Sequence, residues 1–124
     1  MNSIWVYEEP LGPVPKGEYS AELTGIEEFN GEYGPAVRFK FVLTEEGEMK
    51  GREVSGMAPN KGFSEDTKLG RWIAAILGYT PNIGQEVRTS DLLHKPCCVK
   101  IEHKAADDGR VFSNVVGVKS DVPF

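Results

Sequence analysis

The stretch PAVRFKFVLT, Pro35 to Thr44, carries the cleanest alternation in the chain. Successive side chains of a strand point to opposite faces, so Val37, Phe39, Phe41 and Leu43 form one apolar row. Arg38, Lys40, Val42 and Thr44 form the other. The first row reads as core and the second as an outward face bearing two cations. Upstream, Asn30 to Gly34 (NGEYG) is a hairpin signal that ties this strand to Gly17–Phe29, GEYSAELTGIEEF. There Tyr19, Ala21 and Leu23 share a face, Gly25 interrupts, and Ile26 falls out of phase. A bulge in a bent strand gives that pattern. Downstream, Glu45 to Gly51 is a turn, and Gly51 to Ala58 is a third strand weakened by Gly56.

The period then changes. Ser64 is placed to cap a helix, with Glu65 and Asp66 in its first turn. Leu69, Trp72, Ile73, Ile76 and Leu77 make an apolar stripe at helical spacing, and Gly78 is the stop. Thr80 to Lys95 reads as a connector with one helical turn near Asp91. Cys97 to Lys104 alternates again, Ala105 to Arg110 is a hairpin turn, and Val111 to Val118 closes the domain. Three strands, a helix and two strands, with a bent first strand, predict a mainly β fold. The expected form is a five-stranded OB-type barrel with one α-helix between strands 3 and 4, a fold that binds oligonucleotides or oligosaccharides on its strand 2–3 face and its 1–2 and 4–5 loops. A small β-sandwich packed with one helix is the alternative. The expected organisation is an extended arm over 1–16, an OB-fold domain over 17–119 and a C-terminal tip over 120–124.

At 124 residues a single core is expected, and 40% hydrophobic content suffices to build it. Fourteen Gly and eight Pro call for many turns and short strands. The net charge of −5 is uneven: residues 1–37 hold one base and seven acids, residues 38–71 seven bases and six acids. Binding of an anion would therefore depend on a local groove. The first residues carry Glu8 and Glu9 without an apolar run, so no signal peptide is expected. No stretch approaches the roughly 18 apolar residues of a membrane span. Cys97 and Cys98 are neighbours, a poor geometry for a structural disulfide. A reduced, cytoplasmic protein is the simplest expectation.

The chain ends on SDVPF, Ser120 to Phe124. Asp121, Val122, Pro123 and Phe124 resemble the C-terminal tip of bacterial and phage single-stranded DNA-binding proteins, in which an acidic stretch ends in an aliphatic residue, Pro and Phe. In that family the tip docks on replication and repair enzymes, the ring filling an apolar pocket and the terminal carboxylate meeting a base. Small phage-encoded replication and recombination proteins also share the G-E-Y start of the first strand and the helix after strand three. Here the acidic run is reduced to Asp121, and no long Gly/Pro/Gln-rich linker precedes the tip. The resemblance implies binding of single-stranded DNA with little sequence preference, recruitment of replication or recombination proteins through the tip, and a bacterial or phage-infected cytoplasm.

Single strands bind a basic groove that follows phosphates and aromatic faces that stack bases. Arg38 and Lys40 supply the outward row, with Arg52 on strand three. Tyr33 sits in the first hairpin, Lys61 and Phe63 precede the helix, and Lys104 and Arg110 bracket the last hairpin. Against this, Arg38 and Lys40 equally fit a solvated strand face, and Tyr33 and Phe63 equally fit loop anchors. Phe39, Phe41 and Trp72 belong to the core. Trp5 and Tyr7 fit DNA stacking, a barrel end or a subunit interface, which leaves a homo-oligomer open. His94, Cys97, Cys98 and His103 are four soft ligands, but strand alternation sends the two thiols to opposite faces, so no metal is expected. GMAPNKGFS places its lysine ahead of the glycine and acids at the helix start, unlike a phosphate loop. No catalytic set, and hence no enzyme and no cofactor, is expected. The alternative is a non-catalytic protein-interaction or virion-associated OB module of a phage, with carbohydrate binding a third reading.

Overall fold

The structure, a computed structural model, describes Ile4 and residues 12–120. Trp5, Tyr7 and the ending Asp121–Phe124 lie outside the described residues. Five strands and one α-helix follow in the expected order: β1 (Gly17–Gly31), β2 (Gly34–Leu43), β3 (Glu53–Pro59), α1 (Lys68–Leu77), β4 (Pro96–Ala105) and β5 (Val111–Ser120). A single 3-10 turn, Thr89–Asp91, stands where one helical turn was expected. The fold is mainly β, one antiparallel sheet of order β3-β2-β1-β4-β5.

Strand β1 is long because it serves two partners. Its first part pairs with β4, Gly17 opposite Ile101, and its later part with β2, Gly31 opposite Gly34. The register shifts between Leu23 and Gly25, so Leu23 faces Phe41 while Ile26, not Gly25, faces Phe39. This bulge keeps Ala21, Leu23 and Ile26 on the core side and bends the strand. The Thr24 hydroxyl, donating to the Lys40 carbonyl at 3.2 Å, ties the bulge to β2.

The inner row of β2 is core throughout, with Val37, Phe39, Phe41 and Leu43 all buried. Helix α1 covers part of that core: Leu69, Trp72 and Ile76 are buried, and Ile73 and Leu77 pack beside them. The Trp72 ring meets Phe39 edge-on at 5.4 Å between centroids, a favoured aromatic geometry. The helix starts later than the expected Ser64 cap. Thr67 is the N-cap, its hydroxyl oxygen accepting from the Gly70 amide at 3.0 Å and donating to the Ser64 carbonyl at 2.9 Å. Ser64 instead forms a turn pressed against Gly70, where any Cβ would overlap the Ser64 carbonyl. At the far end Gly78 takes the left-handed conformation at φ 85° and its amide closes on the Ala74 carbonyl.

Gly56, which weakens β3 on propensity, has a packing role. A Cβ there would overlap the Val115 carbonyl of β5 and lie 2.8 Å from the Trp72 ring. The two edge strands of the sheet thus approach each other at Gly56. Packing also begins ahead of Gly17. Val14 is fully buried in the core, and three side chains hold the segment around it. Arg52 Nη2 donates to the Gly12 carbonyl at 2.7 Å, Tyr19 Oη to that of Pro15 at 2.8 Å and His103 Nε2 to that of Val14 at 2.9 Å.

Candidate nucleic-acid interface

The bulge in β1 decides which side chains meet the cations of β2. Beyond it the phase of β1 is reversed, and Glu27 stands opposite Arg38 while Phe29 stands opposite Ala36. On the other flank, Met57 pairs with Arg38 and Ser55 with Lys40. The outward face of β1-β2-β3 therefore gathers Phe29, Glu27, Arg38, Lys40, Ser55 and Met57.

Contacts within this face are specific. The Arg38 guanidinium lies 4.8 Å from the centre of the Phe29 ring, a cation–π arrangement between two half-buried residues. Arg38 Nη2 also lies 3.9 Å from Met57 Sδ. Lys40 Nζ donates to Glu27 Oε1 at 2.7 Å, and Arg38 Nη1 lies 3.8 Å from Glu27 Oε2. One carboxylate thus faces two cations. The hydrogen bond from Lys40, then the charges of Lys40 and Arg38, hold the Glu27 carboxyl below its ordinary range. Side chains of all three keep 40–50% of their surface in solvent, so each ion pair is weak and salt-sensitive.

Beside this face is an open cleft of about 410 Å³, lined by Thr24, Lys40, Phe41, Glu53, Val54, Ser55 and Ser113. Ser113 belongs to β5, two residues from the start of that strand, so the turn end of the β4–β5 hairpin adjoins the β2–β3 surface. Further out on that hairpin Lys104 pairs with Phe112, and the Arg110 guanidinium lies 5.4 Å from the Phe112 ring. Arg110 Nε also meets Asp108 Oδ2 at 2.6 Å. Phe112 is 47% exposed. A second set of cations and an aromatic ring therefore shares the hairpin with an acid.

The expected site residues do not all converge. Arg38 and Lys40 lie side by side on the sheet, and Lys104 and Arg110 share the last hairpin. Tyr33, 96% exposed, stands at the β1–β2 turn. Arg52 is half-buried, its guanidinium directed to Gly12 and to Met49 Sδ at 3.8 Å, so it fastens the N-terminal segment. Lys61 is exposed on the loop before α1. Phe63 lines a different cleft of about 610 Å³ together with Glu65, Asp66, Arg71 and Ile83. The tip residues Asp121, Val122, Pro123 and Phe124 lie outside the described residues. Sequence reasoning missed Phe29, Glu27, Met57 and Phe112. For the first two the signal was Ile26: once it falls inward, Glu27 and Phe29 must point outward. Phe112 follows from counting outward from the hairpin turn.

The four soft ligands are dispersed. Cys97 is buried, Cys98 is half-buried, His94 Nδ1 lies 2.9 Å from Glu22 Oε1, and His103 faces the Val14 carbonyl. Among the described residues no group of three or more His, Cys, Asp or Glu is placed to hold a metal ion. No helix among them is long and apolar enough to cross a membrane. In comparison with known proteins, no protein-family model matches this chain and no curated protein is significantly similar to it.

Proposed function

We propose that this chain is an OB-type barrel that binds single-stranded DNA with little sequence preference on the outward face of β1-β2-β3. The barrel reading is supported by the strand order, the helix between β3 and β4, and the close approach of the β3 and β5 edges at Gly56. One observation carries the binding reading: Phe29, Arg38, Lys40 and Met57 form a single patch, a half-buried aromatic ring with Arg38 over it beside the more exposed Lys40 and Met57. Bases stack on aromatic rings whatever their identity, each stack contributing about 1–3 kcal/mol, while phosphates meet the cations. The β4–β5 hairpin, with Lys104, Arg110 and Phe112, borders the same surface and extends the track.

The protein's task in this reading is non-catalytic: it covers and presents the strand in a bacterial or phage-infected cytoplasm. Asp121–Phe124 would recruit a replication or recombination protein. A second reading, a protein-interaction or virion-associated module, is favoured by the cleft at α1. That cleft is larger than the sheet cleft, and Phe63 and Ile83 line it beside Glu65 and Asp66.

A labelled oligo-dT separates the two. Thirty or so nucleotides span an OB site of roughly 4–16. Anisotropy should report binding that falls with added salt, with a log–log slope of about −0.7 for each phosphate contact. An equal length of duplex should not displace the strand. Absence of binding at low salt would overturn the DNA reading.

A further inference from the structure

We propose that Glu27 occupies, in the free protein, the place a DNA phosphate takes in the complex, so that it sets the affinity of the β1-β2-β3 face by competing for Lys40 and Arg38. The inference rests on the binding reading above. Its argument is geometric. A phosphodiester presents two acceptor oxygens on one centre, and so does the Glu27 carboxylate. Oε1 meets Lys40 Nζ at 2.7 Å, and Oε2 faces Arg38 Nη1 at 3.8 Å. Both cations that should hold a phosphate are thus turned toward one acid in the centre of the patch.

Displacement needs no change of backbone. Glu27 sits in the β1–β2 ladder opposite Arg38, and its side chain is half-exposed, so a rotation about its own torsions carries the carboxylate into water. Arg38 remains seated on Phe29 during the exchange, because its contact with the ring does not involve Glu27. Lys40 loses one acceptor and gains another. A strand that binds must therefore outcompete an acid already in place, which lowers affinity and favours ligands dense in phosphate over a lone anion. Were Glu27 only a brace that aims the two cations, its removal would weaken binding. The two roles predict opposite signs.

The experiment is a double-mutant cycle read by anisotropy with labelled oligo-dT at fixed low salt. Relative to wild type, Glu27→Gln should tighten binding about two- to fivefold, the range expected when an exposed ion pair no longer competes. Its salt slope should steepen slightly, because in wild type added salt also weakens the competing ion pair and so offsets part of the loss, and in the variant no such pair remains. In the Lys40→Ala background the same change should bring much less tightening, because the pair it releases is already gone. If wild type binds and Glu27→Gln binds equally or more weakly, the competition is refuted while the binding reading stands. Tightening of the same size in both backgrounds would also refute it, since the gain would then be general charge. If neither wild type nor Glu27→Gln binds, the binding reading itself falls, and this inference with it.

Discussion

On the inner side of β2, Phe39 and Phe41 are wholly buried and stack at 6.5 Å between centroids, whereas on its outer side Arg38 and Lys40 keep 40% and 47% of their side chains in solvent. The inner row is fixed by packing from three directions: β1 through Leu23, β3 through Val54 and α1 through Trp72. Among the described residues, the Arg38 and Lys40 side chains of the outer row meet a carboxylate, a thioether and the face of one ring. Ten consecutive residues thus combine a closely packed surface with one whose charged side chains stand half in solvent. Stability should reside in the first and ligand affinity in the second.

Truncating the inner row should have the largest effect. Phe39→Ala should cost about 3–5 kcal/mol in urea denaturation, a large part of a small domain's stability. A loss below 1 kcal/mol would mean that the two faces are not as different as described. Next comes the seam between β3 and β5. Gly56→Ala forces a Cβ onto the Val115 carbonyl, which is backbone and yields poorly, so about 1–3 kcal/mol of stability should be lost. An unchanged midpoint would show that the edges do not meet there. On the outer side, Phe29→Ala should weaken oligo-dT binding by about 1–3 kcal/mol while leaving the denaturation midpoint nearly unmoved.

Arg52 sharpens the contrast from a third place. Read in sequence it is one more cation on a strand, yet its hydrogen bond to Gly12 makes it a fastener. Arg52→Ala should cost about 1 kcal/mol of stability and leave the salt slope of DNA binding unchanged. The smallest effect is in pH. Glu27 titrates below its ordinary 4.5 in the folded protein. Its contribution to stability is therefore complete above that value and lost as pH falls through the lowered one. The difference in melting temperature between wild type and Glu27→Gln should shrink over that acid window, and a constant difference would show that the ion pair plays no part in it.

The two faces were not equally legible in the sequence. The inner row of β2 was plain, since alternation of large apolar residues has one structural meaning. Element order and the stop at Gly78 were equally open, because glycine and spacing act locally. The helix start was not: Ser64 and Thr67 are both competent caps, and the choice falls to Thr67 because Gly70 allows the preceding turn to press against α1. The outer face was half legible. Arg38 and Lys40 announce themselves, but their neighbours depend on the phase of β1 beyond the bulge and on registers between strands. Glu27 and Phe29 become partners of β2 only through that pairing. The role of Arg52 depends on a contact 40 residues away in the chain, which no local pattern encodes.

The central claim is that the outward face of β1-β2-β3 is where a single strand lies. Amide NMR of the labelled protein, titrated with oligo-dT, tests it most directly. The account predicts that resonances of Phe29, Arg38, Lys40 and Met57 shift first, followed by those of the β4–β5 hairpin, while α1 and residues 80–85 stay in place. Saturable shifts confined to the cleft of Phe63, Asp66 and Ile83, or no shifts at all, would contradict it.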